Sequence, residues 1–219
     1  MKYLPEAIEF LYQQDAGWAV LVELTSIPEF GVPEPPYIEL MSSIVSQQLS
    51  TKVAKVIWNR FVDLFPRGFP EPSLVIELSD LQLREIGFSN AKANYVKNIA
   101  GHFLAAPYTR DSLEAMDDLE LLKEFSSIKG VGEWTVQMLQ IFNLHRPDIL
   151  PVKDLGVRQA YSNFYGLNLT ERELILHMNE KAEKWSPYRS AASLLLWNWK
   201  NHQFPGLEEI QKLNKNSKN

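Results

Sequence analysis

One carboxylate and one glycine turn in this chain carry chemistry by residue type and spacing. Asp154 stands in the segment Ile149-Leu150-Pro151-Val152-Lys153-Asp154-Leu155-Gly156-Val157-Arg158, 22 positions beyond Gly132. Gly132 closes the run Ile128-Lys129-Gly130-Val131-Gly132. Two glycines around one β-branched residue let the backbone turn tightly and leave no Cβ in front of its amides. Glu133-Trp134-Thr135 then opens a helix, whose first N–H groups and positive dipole end make a phosphate site without a cluster of lysines. The amides of Gly130, Gly132 and Thr135 are the expected phosphate ligands, with Lys129 as a helper. The same turn also joins antiparallel helices that bind nothing. Asp154 has two readings as well. It is the N-cap of the helix that starts at Leu155, and it is an anion that a reaction building positive charge would use; a helix N-terminus favours both. A helix of about twelve residues, roughly 18 Å long, must run away from the turn before a return loop can bring Asp154 alongside a bound backbone.

Other chemistries are excluded by what the chain lacks. It has no cysteine, so disulfides, thiolate zinc sites, a cysteine nucleophile and a cysteine-ligated iron-sulfur cluster are absent. His102, His145, His177 and His202 show no paired metal-ligand spacing. No metal and no cofactor is expected. A net charge of -5 and a pI of about 5.5 argue against a protein that coats a polyanion, so any nucleic-acid contact must be local. Met1 to Phe10 carries Lys2, Glu6 and Glu9 and resembles neither a signal peptide nor a membrane span. A cytoplasmic protein without a membrane partner is expected.

The elements that must position these groups read as helices nearly throughout. Apolar residues recur at helical spacing, as in Leu4, Ile8, Leu11 and in Val53, Ile57, Phe61, Leu64, and strand-like alternation is nearly absent. Ser50, Ser89 and Thr170 are placed to cap helices starting near Thr51, Asn90 and Glu171, the last with Glu173 in its first turn. Pro28, Pro33, Pro35 and Pro36 make an extended connection after two short N-terminal helices, and Pro66, Pro70 and Pro72 close the long helix after Ser50. Breaks at Pro107, Pro147, Pro151 and Pro187 leave segments of about 10 to 15 residues, giving about ten helices in all. The expected organisation is residues 1–36 packed on a core, a core of two helical subdomains over 37–211 with a cleft between them, and a fraying polar tail over 212–219.

At this point the motifs resemble a known family. The Gly130-Val131-Gly132 hairpin, a helix and the LP-x-x-D-L-G-V-R segment are similar to the helix-hairpin-helix, Gly/Pro-Asp superfamily of DNA glycosylases, in particular its AlkA-type 3-methyladenine DNA glycosylase II branch. Ile44-Val45-Ser46-Gln47-Gln48-Leu49-Ser50 resembles that branch's SQQLS stretch. Gly87-Phe88-Ser89 with Lys92 and Tyr95, and Trp185-Ser186-Pro187-Tyr188-Arg189-Ser190 with Ala192, resemble two more of its stretches. The likeness spans about Tyr37 to Trp199.

The resemblance implies a monofunctional glycosylase that hydrolyses the N-glycosidic bond of alkylated bases of the 3-methyladenine and 7-methylguanine type in base-excision repair. Its partner would be double-stranded DNA with a damaged base, bound by a monomer, in a bacterial nucleoid-associated role. Asp154 would be the catalytic carboxylate. Relatives that also nick the strand carry a lysine two residues after the second hairpin glycine, and this chain has Trp134 there, so Schiff-base lyase chemistry is not expected. Gln48 and Leu49 would be the candidates to wedge into the duplex, with the DNA-binding Gln47 nearby, although Gln47 and Gln48 also read as solvated helix-end residues and Leu49 as core. A flat cationic base is best held by aromatic faces. Trp134, with Met138 one turn on, is the first choice for the pocket, then Tyr188 and Trp185. Trp58, Trp197 and Trp199 read as core or helix contacts, and Arg189 and Ser190 as structural. Lys153 and Arg158 suit a phosphate or the plain surface equally. Two rivals remain at this stage: a non-catalytic DNA-binding module, and an all-α protein-interaction domain.

Overall fold

The computed structural model describes residues 1–25, 33–106 and 108–216, and among them it is all-α, with no strand. Two units divide the chain: Met1–Gly31 with His145–Asn219, and Val32–Leu144. The N-terminal helices therefore belong with the C-terminal half, and the middle of the chain is a unit by itself.

The first unit holds α1 (Leu4–Tyr12), α2 (Gly17–Thr25), α11 (Leu155–Tyr165), α12 (Glu171–Ala182), α13 (Arg189–Asn201) and α14 (Leu207–Asn216). Its core is aromatic: Trp18, Trp185, Trp199, Tyr161 and Phe164 are fully enclosed, and Trp18 meets Phe164 at 4.5 Å and Trp185 edge-on at 5.4 Å between ring centroids. Such pairs add to simple area burial because ring edges and faces carry opposite partial charge. The buried Asp15 accepts from Tyr165 Oη at 2.7 Å and from Lys181 Nζ at 3.1 Å, which satisfies a carboxylate that could not be left bare inside. The terminal stretch departs from the fraying tail expected of its polar sequence. Lys212 to Asn216 continue α14, Ile210 is buried, and Asn214, 2% exposed, accepts from Gly17 N–H at 3.1 Å and donates to Phe164 O at 2.9 Å. A few anchoring contacts dock the helix, and mean polarity did not reveal them. Residues 217–219, like Pro28 and Pro107, lie outside the described residues.

The second unit holds α3 (Pro36–Ser46), α4 (Thr51–Val62), α5 (Pro72–Glu77), α6 (Asp80–Glu85), α7 (Asn90–Ala105), α8 (Arg110–Glu114), α9 (Asp118–Ser126) and α10 (Glu133–Met138). The total is fourteen α-helices among the described residues, more than the ten or so expected. The excess comes from short helices started by local caps. Ser79 with Gln82 and Asp117 with Glu120 form reciprocal capping boxes, which begin α6 and α9 within stretches that proline punctuation alone leaves undivided. Ser50, Ser89 and Thr170 cap α4, α7 and α12 as expected. A core of Met41, Ile44, Phe61, Phe88, Val96 and Phe125 packs α3, α4, α7 and α9 together. α10 runs on through one wider turn, Leu139–Asn143, where Leu144 N–H bonds to Leu139 O.

Glu39 on α3 is half-buried and receives a 3.2 Å bond from Ser43 Oγ, and burial pushes its carboxyl up to about 7 against that bond. Because the folded value lies above the unfolded one, the native state binds the proton more tightly. The contribution to stability is complete below the ordinary glutamate value and is lost as pH rises through about 7. Unfolding free energy measured by denaturant titration from pH 5 to pH 8 is expected to fall for the parent along this limb and to fall less for Glu39→Gln. Equal slopes for the two proteins would contradict it.

Candidate active site

Asp154 is the N-cap of α11, and its side chain is half-buried. Its Oδ1 accepts from Val157 N–H at 2.7 Å and from the Trp197 indole N–H at 2.8 Å. One oxygen thus takes two donors from different helices, which fixes the carboxyl orientation as a single cap bond could not. Gly156 makes the approach of the indole possible. A Cβ there would meet Asp154 Oδ1 at 3.0 Å and Trp197 Cδ1 and Nε1 at 3.1 Å.

The segment before Asp154 is stitched to the same helix, α13, at its other end. Arg189 Nε and Nη2 bind the two Asp148 oxygens at 2.7 Å each, a planar fork matched to a carboxylate. Ser190 Oγ accepts from Ile149 N–H at 2.9 Å, and Ser190 N–H donates to Pro147 O at 3.0 Å. Ser190 and Trp197 are seven residues apart, two turns along one face of α13. One rigid helix therefore sets both the start of the loop and the carboxylate that ends it. Arg189 and Ser190 are structural, as their sequence context suggested. By sequence Trp197 reads as a core or helix contact, yet it holds the carboxyl group; its seven-residue spacing from Ser190 and the small residue at 156 are the only signals that could have pointed to it.

In the second unit, α9, the turn and α10 form the hairpin. Ile128 and Val131 are buried and plug the turn into the core, with Val131 N–H bonded to Ile128 O at 3.0 Å, while Lys129 and Gly132 are exposed. The two glycines have different causes. Gly130 sits at φ +105°, and a Cβ on it would fall 2.2 to 2.7 Å from ring carbons of Tyr95, so the fold itself demands glycine. Gly132 has φ -104°, and a Cβ there would meet nothing within 4 Å. No side chain caps the helix at Gly132. Space is therefore left open in front of the first turn of α10. Trp134 is half-buried, and Met138, one turn on, is buried. Thr135 is buried, and its Oγ1 accepts from Gln47 Nε2 at 3.1 Å.

Gln47, Gln48 and Leu49 form the turn between α3 and α4. Gln48 is exposed at φ +58°, and Leu49 is 37% exposed, so the core reading of Leu49 is wrong. One aromatic candidate is corrected, and a second has partners of its own. Trp185 is fully buried, edge-on to Trp18 and Tyr161, and cannot line a pocket. Tyr188 is stacked on Tyr3 at 6.3 Å, lies edge-on to Phe10 at 5.4 Å and hydrogen-bonds Glu6, which raises its phenol. It is committed to α1. Arg158 is ion-paired with Glu171, and Lys153 is exposed. Among the described residues no group of three His, Asp or Glu could hold a metal ion, and no helix is long and apolar enough to cross a membrane.

The chain is similar in sequence and fold to known proteins. The family model described as HhH-GPD superfamily base excision DNA repair protein matches residues 41–187, a span that contains the Gln47 turn, the hairpin and Asp154. The chain is 34% identical over 188 residues to DNA-3-methyladenine glycosylase 1 of Schizosaccharomyces pombe, covering 84% of this chain and 82% of that one. Among solved structures it is similar to the Schizosaccharomyces pombe 3-methyladenine DNA glycosylase Mag1 in complex with abasic DNA, with a TM-score of 0.80, 32% identity and coverage of 90% and 97%. The DNA-3-methyladenine glycosidase from Bacillus halodurans matches with a TM-score of 0.73, 28% identity and coverage of 94% and 95%.

Trp197→Phe keeps an aromatic ring on α13 and removes the donor to Asp154 together with part of the ring's packing volume. It is expected to lower the unfolding free energy by about 1.5–3 kcal/mol, the usual range for a bond to a carboxylate, read by denaturant titration. A variant as stable as the parent would show that this bond holds nothing in place.

Proposed function

The chain belongs to the HhH-GPD superfamily of base excision DNA repair proteins, and from that premise we propose how its own residues perform the reaction. The activity is that of a DNA-3-methyladenine glycosylase: hydrolysis of the bond between deoxyribose and an alkylated base, leaving an abasic site. The substrate is double-stranded DNA carrying a base of the 3-methyladenine or 7-methylguanine type, bound by a monomer. Trp134 stands at the position where strand-nicking relatives carry lysine, in keeping with hydrolysis alone.

Methylation on a purine ring nitrogen leaves the base cationic and a good leaving group, so the enzyme need not protonate it. Positive charge grows on the sugar as the bond breaks. An anion fixed beside that charge stabilises the transition state more than the ground state, and it orients the attacking water. Asp154 is the residue for this task. The observation that carries the reading is its fixed carboxyl group, with two donors on Oδ1 and an α-helix N-terminus behind it. N-capping and catalysis are then one arrangement, because the bonds that cap α11 also orient the charge.

The hairpin is the grip. Amides at Gly130, Gly132 and Thr135 would take a backbone phosphate, with Lys129 beside them, and the open space before Gly132 supports that role over a bare turn. The exposed Gln48 and Leu49 would fill the gap left by the everted base, with Gln47 behind them. Trp134 would offer its face to the cationic ring, and Met138 would back it.

Asp154→Asn tests the assignment. Base release from methylated duplex is expected to fall by about 100-fold or more, while affinity for a duplex containing a neutral tetrahydrofuran abasic-site analogue changes by less than about threefold. Release at the parental rate would remove Asp154 from the chemistry.

A further inference from the structure

The Gln47–Leu49 turn is held in a conformation that its own residues disfavour. Gln48 bears a side chain at φ +58°, where Cβ crowds the backbone. The two residues that project have little packing of their own, since Gln48 is exposed and Leu49 is 37% exposed. Something else must offset the strain. The carbonyl groups at the end of α3 show what does. Ser43 O accepts from Gln47 N–H at 3.2 Å, and Ser46 O accepts from Leu49 N–H at 3.1 Å. Val45 O and Gln47 O both accept from a distant ammonium: Lys92 Nζ lies 2.7 Å from the first and 2.9 Å from the second.

Lys92 is well fixed for this. It belongs to the first turn of α7, with its own N–H bonded to Ser89 Oγ at 3.2 Å, and α7 packs along α3. Its charge sits where the α3 dipole is negative. Partial burial pulls the lysine below its ordinary value, the sign of a cation taken out of water. A cation given up by solvent to two backbone carbonyls specifies a backbone shape. Gln47 adds a second tie, since its Nε2 donates to the buried Thr135 Oγ1 in the first turn of α10. The turn is thereby locked both to α7 and to the helix that follows the glycine hairpin, within one unit.

We propose that Lys92 is a positioning residue for base eversion: its ammonium, bonded to the Val45 and Gln47 carbonyls, holds Gln48 and Leu49 in the projecting geometry with which they enter the duplex. This rests on the reading that the turn is the element that enters DNA. Lys92 itself touches neither the base nor the sugar. Its removal therefore slows eversion and leaves bond cleavage alone, a distinction that a loss of general stability would not make. A paired lesion must be pulled from its partner, whereas an unpaired one costs less to evert.

The test compares single-turnover release of 7-methylguanine from two duplexes, with the lesion opposite cytosine or opposite a tetrahydrofuran residue that has no base. For Lys92→Met the expected result is a loss of about tenfold opposite cytosine and less than about threefold opposite tetrahydrofuran, with thermal unfolding measured alongside. Lys92→Gln, which keeps one donor, serves if Lys92→Met does not fold. Equal losses on both duplexes, or no loss on either, overturn the positioning role, as does failure of both variants to fold, which would make Lys92 a stability residue. If the parent protein releases no base from either duplex, the function on which the inference rests is overturned instead.

Discussion

The account depends on one carboxyl oxygen bound twice. Asp154 Oδ1 takes Val157 N–H along the axis of α11 and the Trp197 indole N–H from α13. Bonds to an anion are worth more than neutral ones, about 1.5–3 kcal/mol each, and the angle between their donors sets the direction in which the group faces. An anion that must meet a transient cation has to be oriented before the reaction, because reorganisation during it would consume the advantage. The first unit reads as the support for this pair. Buried Trp18, Trp185 and Trp199 fix α13 against its neighbours, and Gly156 clears the approach of the indole. The Asp148–Arg189 fork and the Ser190–Ile149 bond hold the loop that delivers the aspartate.

The acidic charge of the chain fits a local mode of DNA contact. A protein that relied on lysines to neutralise phosphates would show a basic surface and steep salt dependence. Here a backbone turn can do that work, and the two hairpin glycines divide the labour. Gly130 meets a demand of the fold, a left-handed backbone with Tyr95 against it. Gly132 meets no such demand, since its conformation suits any residue and its surroundings are empty. Its bare backbone is what the proposed phosphate grip requires.

Much of this was legible in the sequence, and the physical reasons for the rest are particular. The all-α class followed from apolar spacing, and the helix starts at Thr51, Asn90 and Glu171 followed from Ser50, Ser89 and Thr170, because caps are local and written in adjacent residues. The hairpin turn and the N-cap at Asp154 are legible because glycine turns and helix starts are written in adjacent residues. Trp197 was not assigned its role, because its partner is distant in sequence and a tryptophan amid leucines looks like core. Trp185 misleads for the converse reason: an aromatic next to a motif need not face the site, and Trp185 turns into the Trp18 and Tyr161 cluster, while Tyr188 is half-buried against Tyr3 and Phe10. α14 was missed because Asn214 docks it through two backbone bonds, which no hydropathy pattern records.

The most direct measurement of the central claim compares two abasic-site analogues of similar shape, one a pyrrolidine that is cationic at neutral pH and the other a neutral tetrahydrofuran. If the oriented Asp154 carboxylate faces positive charge at the sugar, the protein binds the cationic duplex more tightly, by about tenfold or more, and Asp154→Asn abolishes that preference. Equal affinity of the parent protein for the two duplexes, or a preference that survives the substitution, would contradict the account.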